Sequence, residues 1–190
     1  MTTARRVDGR QRVLDAALAQ FAKNGVGATS LQMIADEMGV TKAALYYHFK
    51  TKEEIVLAVV QPALRRLSEV LEEAEAQRSQ AARTRTFLDG FVRLVVQNRT
   101  LLGLAWGDAH ITQIGLGHVP GFEGIDDRFM AILLGEDPTM EQIICADVAL
   151  SGIAISASAP RFAEMNDDDL AAALIEAGQR LVPQRRRRSS

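Results

Sequence analysis

Thr29-Ser30-Leu31-Gln32-Met33-Ile34-Ala35-Asp36-Glu37-Met38-Gly39-Val40-Thr41-Lys42-Ala43-Ala44-Leu45-Tyr46-Tyr47-His48-Phe49-Lys50-Thr51-Lys52-Glu53 is the stretch whose reading decides the fold. Leu31, Ile34, Ala35 and Met38 recur at spacings of three and four, so one apolar face of a short helix points inward. Gly39 ends that helix, because only glycine takes the left-handed conformation needed at the corner without steric cost. Val40 plugs the corner, and Thr41 is placed to cap a second short helix. Ala44, Leu45 and Phe49 are expected to pack back against the first helix. Lys42, Ala43, Tyr46, Tyr47 and His48 are then left for a partner. A cation, a small residue, two phenols and an imidazole on one short helix suit a groove lined with phosphates.

Working outward, the whole sequence reads as helix, with no convincing alternation of apolar and polar residues. A first helix is expected from about Arg10 to Asn24, ended by Gly25. The quoted stretch supplies the second, opened at Thr29 by a Thr-x-x-Gln capping-box spacing, and the third. Thr51-x-x-Glu54 opens a fourth that runs to about Gln77 and carries Pro62, whose ring clashes with the carbonyl four residues earlier and predicts a kink near Ala58. Amphipathic spacing predicts further helices over 84–98, about 101–110 and 125–134. Residues 103–124 hold six of the fourteen glycines and, with Pro120, read as a flexible connector in their latter part. The eighth predicted helix, 139–159, is apolar nearly all round, and Pro160 stops it. Asn166 caps the ninth, whose inner stripe is Leu170, Leu174, Ala177 and Leu181.

Bulk properties narrow the class. A hydrophobic content of 47% is ample for a core and excludes disorder of the whole. No apolar run reaches the ~20 residues of a membrane span, and residues 1–12 are too charged for a signal peptide. Cys145 is the single cysteine, so no intramolecular disulfide framework is possible and a reducing, cytoplasmic location is expected. Charge is divided unevenly. Residues 1–52 carry eight basic and four acidic side chains, residues 53–184 carry ten basic and twenty acidic, and Arg185–Arg188 adds four cations. A basic head on an acidic body implies that the head alone approaches nucleic acid.

Arg12-Val13-Leu14-Asp15-Ala16-Ala17, Phe21-Ala22-Lys23-Asn24-Gly25, Thr29-Ser30-Leu31, Ile34-Ala35, Met38-Gly39-Val40-Thr41, Leu45-Tyr46-Tyr47-His48-Phe49 and Thr51-Lys52-Glu53 stand in order and without a gap. Together they resemble the DNA-binding domain of the TetR (AcrR-type) bacterial transcriptional regulators, over roughly residues 8 to 56. The resemblance implies an all-α chain of about nine helices. A helix-turn-helix domain over 1–52 would be joined by the fourth helix to an effector-binding and dimerisation domain over 53–183, followed by a basic tail over 184–190. It also implies a double-stranded operator as partner, with Thr29, Ser30 and Lys52 on phosphates. Thr41, Tyr46, Tyr47 and His48 would lie along the sugar-phosphate strands. Lys42 is the candidate for reading guanine O6 and N7, and Ala43 for a thymine methyl.

For the second domain the resemblance implies a small-molecule effector. The residues themselves supply apolar surface from Phe87, Phe91, Leu94, Val95, Leu102, Trp106, Phe122 and Phe129, with Asp108 and His110 as polar handles. Such spacing equally describes plain core. A helix as apolar as 139–159 must be covered, which predicts a homodimer through the eighth and ninth helices. No cofactor or metal is expected. There are only three histidines, no His-x-x-x-His pair, and no partner for Cys145, so an enzyme built on Asp108, His110 and His118 is disfavoured. A non-specific architectural DNA-binding protein is the other alternative, against which the overall acidity argues.

Overall fold

The computed structural model of the chain describes residues 2–101 and 124–182, with side chains from Gly9 onward. The predicted helix after residue 101, most of the glycine-rich connector and the basic tail therefore lie outside the described residues. Those that are described form α1 (Thr2–Asn24), α2 (Leu31–Glu37), α3 (Lys42–His48), α4 (Lys52–Glu75), α5 (Gln80–Gln97), α6 (Ile125–Leu134), α7 (Met140–Ala157) and α8 (Asp167–Leu181). One 3-10 turn, Pro160–Phe162, precedes α8, and no strand occurs among these residues. The all-α expectation holds. Three starts differ from it: α1 begins at Thr2 rather than near Arg10, α2 is capped by Ser30 rather than Thr29, and α5 begins at Gln80, capped by Ser79, rather than at Thr84.

The chain divides into two compact units, and the division falls inside α4, between Pro62 and Ala63. In the first unit, Val13, Ala17 and Phe21 of α1 close over Ile34 and Ala35 of α2, Leu45 of α3, and Ile55 and Val56 of α4. Val26 and Phe49, from the connecting turns, complete this core. The first turns of α4 are thus part of the small domain's interior. Ala44 is an exception to the expected pattern: it is exposed, because the inward arc of a seven-residue helix is filled by Leu45 alone.

In the second unit α5 is the central element, packed against α6, α7 and α8. Its buried face includes Phe87, Leu88, Phe91, Leu94 and Val95. Gly90 lets α4 come close: a Cβ there would lie 2.7 Å from Val70 Cγ1. Gln80 and Thr84 tie α5 to the end of α6. Gln80 Nε2 donates to the Ile132 carbonyl at 2.6 Å, and the buried Thr84 hydroxyl reaches the Leu133 carbonyl at 3.0 Å, occupying carbonyls that a helix end leaves unpaired. Arg128 of α6 donates to both carboxylate oxygens of Glu75, at 2.9 and 3.1 Å, and these hydrogen bonds hold its guanidinium above the ordinary arginine pKa.

The last two helices differ from the sequence expectation in instructive ways. Leu170, Ala171, Leu174 and Gly178 form the buried stripe of α8, whereas Ala177 and Leu181 face solvent. Gly178 sits where α8 meets Ile153 and Leu88, so beyond Leu174 the contact line passes through the small residue rather than through Ala177 and Leu181. α7 is apolar and long enough, by length and composition, for a membrane span. Its inner face, including Ala146, Ala149, Leu150 and Ile153, is buried against the unit. The outer face is not covered: Met140, Ile144, Val148 and Ile155 are 71, 54, 57 and 51% exposed. Gly152 lies in α7 with open space around it.

Candidate nucleic-acid interface

The turn between α2 and α3 takes the form the sequence requires. Gly39 adopts φ +65° with its N–H on the Asp36 carbonyl, and the Val40 N–H returns to the Ala35 carbonyl at 3.0 Å. Thr41 then caps α3, its hydroxyl oxygen accepting from the Ala44 N–H at 3.3 Å. With Leu45 buried at the base, α3 presents Lys42, Ala43, Ala44, Tyr46 and Tyr47 outward. Tyr47 is 63% exposed and Tyr46 37%. Lys42 holds its ammonium 5.7 Å from the Tyr46 ring centroid, and Lys50 Nζ donates to the Tyr46 carbonyl at 2.7 Å. One cation therefore faces the Tyr46 ring and a second its backbone carbonyl.

His48 is half-buried, with its ring edge-on to Tyr47 at 5.3 Å between centroids. A Cβ on Gly9 would lie 3.1 Å from His48 Cε1 and Nε2, so the imidazole packs against the α1 backbone. Nearby, the exposed Arg10 guanidinium lies 4.7 Å above the Phe49 ring. Arg10 and Lys50 were not singled out by sequence, and Ala44 was expected to pack inward. Arg10 owes its position to a contact with Phe49 that no local spacing encodes.

The two adjacent hydroxyls at the start of α2 divide their work. Ser30 is the cap: it is exposed and its oxygen accepts from the Met33 N–H at 3.2 Å, so its own proton remains available to an anion. Thr29 is 2% exposed and its hydroxyl reaches the Gly25 carbonyl at 2.7 Å and the Gln20 carbonyl at 3.2 Å. The cap expected at Thr29 thus falls on Ser30, without a reciprocal box because Met33 stands three residues on, while the Thr29 side chain is buried in the turn. A phosphate has no hydrogen to offer, so a hydroxyl already donating inward is poorly placed to hold one. Lys52 is also turned inward. Its ammonium donates to the carbonyls of Val26, Thr29 and Gly27 at 2.8, 3.1 and 3.3 Å.

Of the residues considered for an effector, Phe87, Phe91 and Phe129 come together. Phe87 stacks on Phe91 at 5.5 Å and meets Phe129 at 5.2 Å, and Val95 lies buried further along the same helix. Leu102, Trp106, Asp108, His110 and Phe122 fall outside the described residues. Among those that are described, no three His, Cys, Asp or Glu side chains gather as a metal set.

A tight glycine turn joining two seven-residue helices, with the second exposed along its polar face, defines a helix-turn-helix protein. Residues 13–59 match the model of the bacterial regulatory proteins of the tetR family, about a quarter of the chain. The probable acrEF/envCD operon repressor of Escherichia coli K12 is 41% identical over 68 residues, covering 35% of this chain and 31% of that protein. The transcriptional regulator AcrR of Shigella flexneri is 50% identical over 46 residues, 24% of this chain and 21% of its own length. The chain thus aligns with less than a third of either relative. The fold extends further. The TetR-family regulator PfmR of Thermus thermophilus superposes with a TM-score of 0.68 at 24% identity, covering 91% of this chain and all of that one. A TerR/AcrR-family regulator of Aquifex aeolicus gives 0.65 at 20% identity, over 92% of this chain and 99% of its own.

Proposed function

We propose that this chain is a transcriptional repressor that binds a palindromic DNA operator as a homodimer and is released by a small lipophilic effector. The observation that carries the reading is the exposed face of α3, where Lys42, Ala43 and Tyr47 project from a helix pinned by the Gly39 turn. Lys42 reads base edges, Ala43 and the neighbouring Ala44 meet thymine methyls, and Ser30, Thr41, Tyr46 and Tyr47 lie along the backbone. His48 acts mainly by holding α3 against α1. Such a protein works in the cytoplasm, where its operator is.

The dimer is formed through α7 and α8. Support comes from the uncovered row Met140, Ile144, Val148 and Ile155, spaced to lie on one helix face, with Leu181 of α8 also exposed at 48%. A second copy related by a twofold axis presents the same row and covers it reciprocally. The effector binds in the second unit near Phe87, Phe91, Val95 and Phe129. Its binding alters the course of α4, the helix common to both units, and so respaces the paired α3 helices. A coupling of ~1–3 kcal/mol is enough for a switch.

Selection of bound fragments from random duplex DNA, followed by footprinting, tests the central claim. A discrete palindrome with half-sites about one helical turn (~34 Å) apart is expected. Uniform coating of every fragment would overturn it.

A further inference from the structure

Lys52 occupies an electrostatically adverse position. It is the first residue of α4, directly after the cap Thr51, where the helix dipole disfavours a cation. Its ammonium has three N–H donors, and the carbonyls of Val26, Gly27 and Thr29 lie at hydrogen-bond distance to receive them. Those carbonyls belong to the turn between α1 and α2, which has no helix or strand to satisfy them. On the other side of the same turn, the Thr29 hydroxyl secures the Gly25 and Gln20 carbonyls. The residue next along is Ser30, the exposed cap of α2.

We infer that Lys52 is a positioning residue that cages the α1–α2 turn and thereby sets Ser30 against the DNA backbone, rather than a side chain that itself grips a phosphate. The inference rests on the DNA-binding reading and specifies how the start of α4 governs that surface. With its three donors engaged, Lys52 has none left for a phosphate oxygen. A displacement of the first turn of α4 would instead pull on three turn carbonyls and shift the serine that follows them. Lys52 therefore passes a movement of α4 to the DNA face within the small domain itself.

The test measures binding to a pool of random-sequence 30-base-pair duplexes across salt concentrations for the wild type, Lys52→Met, Thr29→Val, Ser30→Ala and the Lys52→Met/Ser30→Ala pair. Amide hydrogen exchange without DNA is measured in parallel. Lys52→Met is expected to weaken binding by about tenfold, as for loss of a hydrogen-bonded charge, with an unchanged salt slope. Thr29→Val, which removes no charge, weakens it in the same way. In the Ser30→Ala background the Lys52→Met effect largely disappears, because the two act as one unit. The Thr29 amide, which donates to the Val26 carbonyl at 3.3 Å, exchanges faster in Lys52→Met and recovers in Lys52→Arg. A salt slope lowered by about 1 in Lys52→Met, with exchange at Thr29 unchanged, would overturn the inference and make Lys52 a phosphate contact. If the wild type bound no duplex, the functional reading would fail while the exchange data still decided the cage.

Discussion

Gly39 and Gly90 carry opposite kinds of constraint. At Gly39 a Cβ would meet nothing within 4 Å, so the demand comes entirely from φ +65°. Gly39→Ala should cost about 1–2 kcal/mol, read as a lower thermal midpoint of the small domain. At Gly90 the backbone is ordinary and the space is missing, because the branched Val70 side chain cannot retreat. Gly90→Ala should cost about 1–3 kcal/mol through overpacking, and Val70→Ala in the same chain should recover part of the loss. On the DNA face, Lys42→Ala should relax preference at one base position as well as lower affinity, by about 1–3 kcal/mol for its preferred base. A randomised operator library in which every sequence weakened equally would remove Lys42 from base readout. Gly39 was legible at once, because a turn residue announces itself locally. The Thr29/Ser30 choice was not: two adjacent hydroxyls both fit a cap, and burial of the threonine side chain decided between them.

Elements were legible wherever a cap and a period agreed. Thr41, Thr51 and Asn166 each accept the N–H three residues on, as their spacing required. The Thr-x-x-Gln pattern expected at Thr29 occurs as a true reciprocal box at Thr139 and Gln142, where neither residue is drawn into a core. α8 shows the limit of periodicity. Its leucines suggested one stripe, but Gly178 allowed a closer approach along a line about one residue away, and side-chain size alone does not signal that. α4 shows another. Pro62 is exposed and the helix continues through it. Pro62→Ala should stabilise α4, by up to about 3 kcal/mol, since it restores a backbone hydrogen bond. If a bend at Pro62 localises the response to effector, the variant should bind DNA but release it less readily when a releasing compound is added. Release identical to the wild type would show that the proline has no part in switching.

For the whole molecule, the basic head and acidic body visible in the sequence point to the head as the nucleic-acid surface, and residues 13–59 within it and just beyond it match the tetR-family model. The effector site was far less legible. Phe87, Phe91 and Phe129 have the same helical spacing whether they line a cavity or close a core, and in the structure they close on each other. A dimer face was expected from excess apolarity in 139–159, and Met140, Ile144, Val148 and Ile155 of that helix are exposed in a single chain. Ile144→Glu should yield a folded monomer by sedimentation, with unchanged helicity and greatly reduced operator affinity. A dimer of undiminished stability would place the interface elsewhere.

Gly152 adds a consequence of its own. Mid-helix glycine sacrifices about 1 kcal/mol relative to alanine, and nothing within one protomer crowds that site. A methyl group added there is therefore a probe whose sign can be read directly. Were α7 solitary in solution, Gly152→Ala would raise the melting temperature at every protein concentration. Where two such helices abut at this point, the same methyl would separate them, and the variant's melting temperature would fall with dilution more steeply than the parent's.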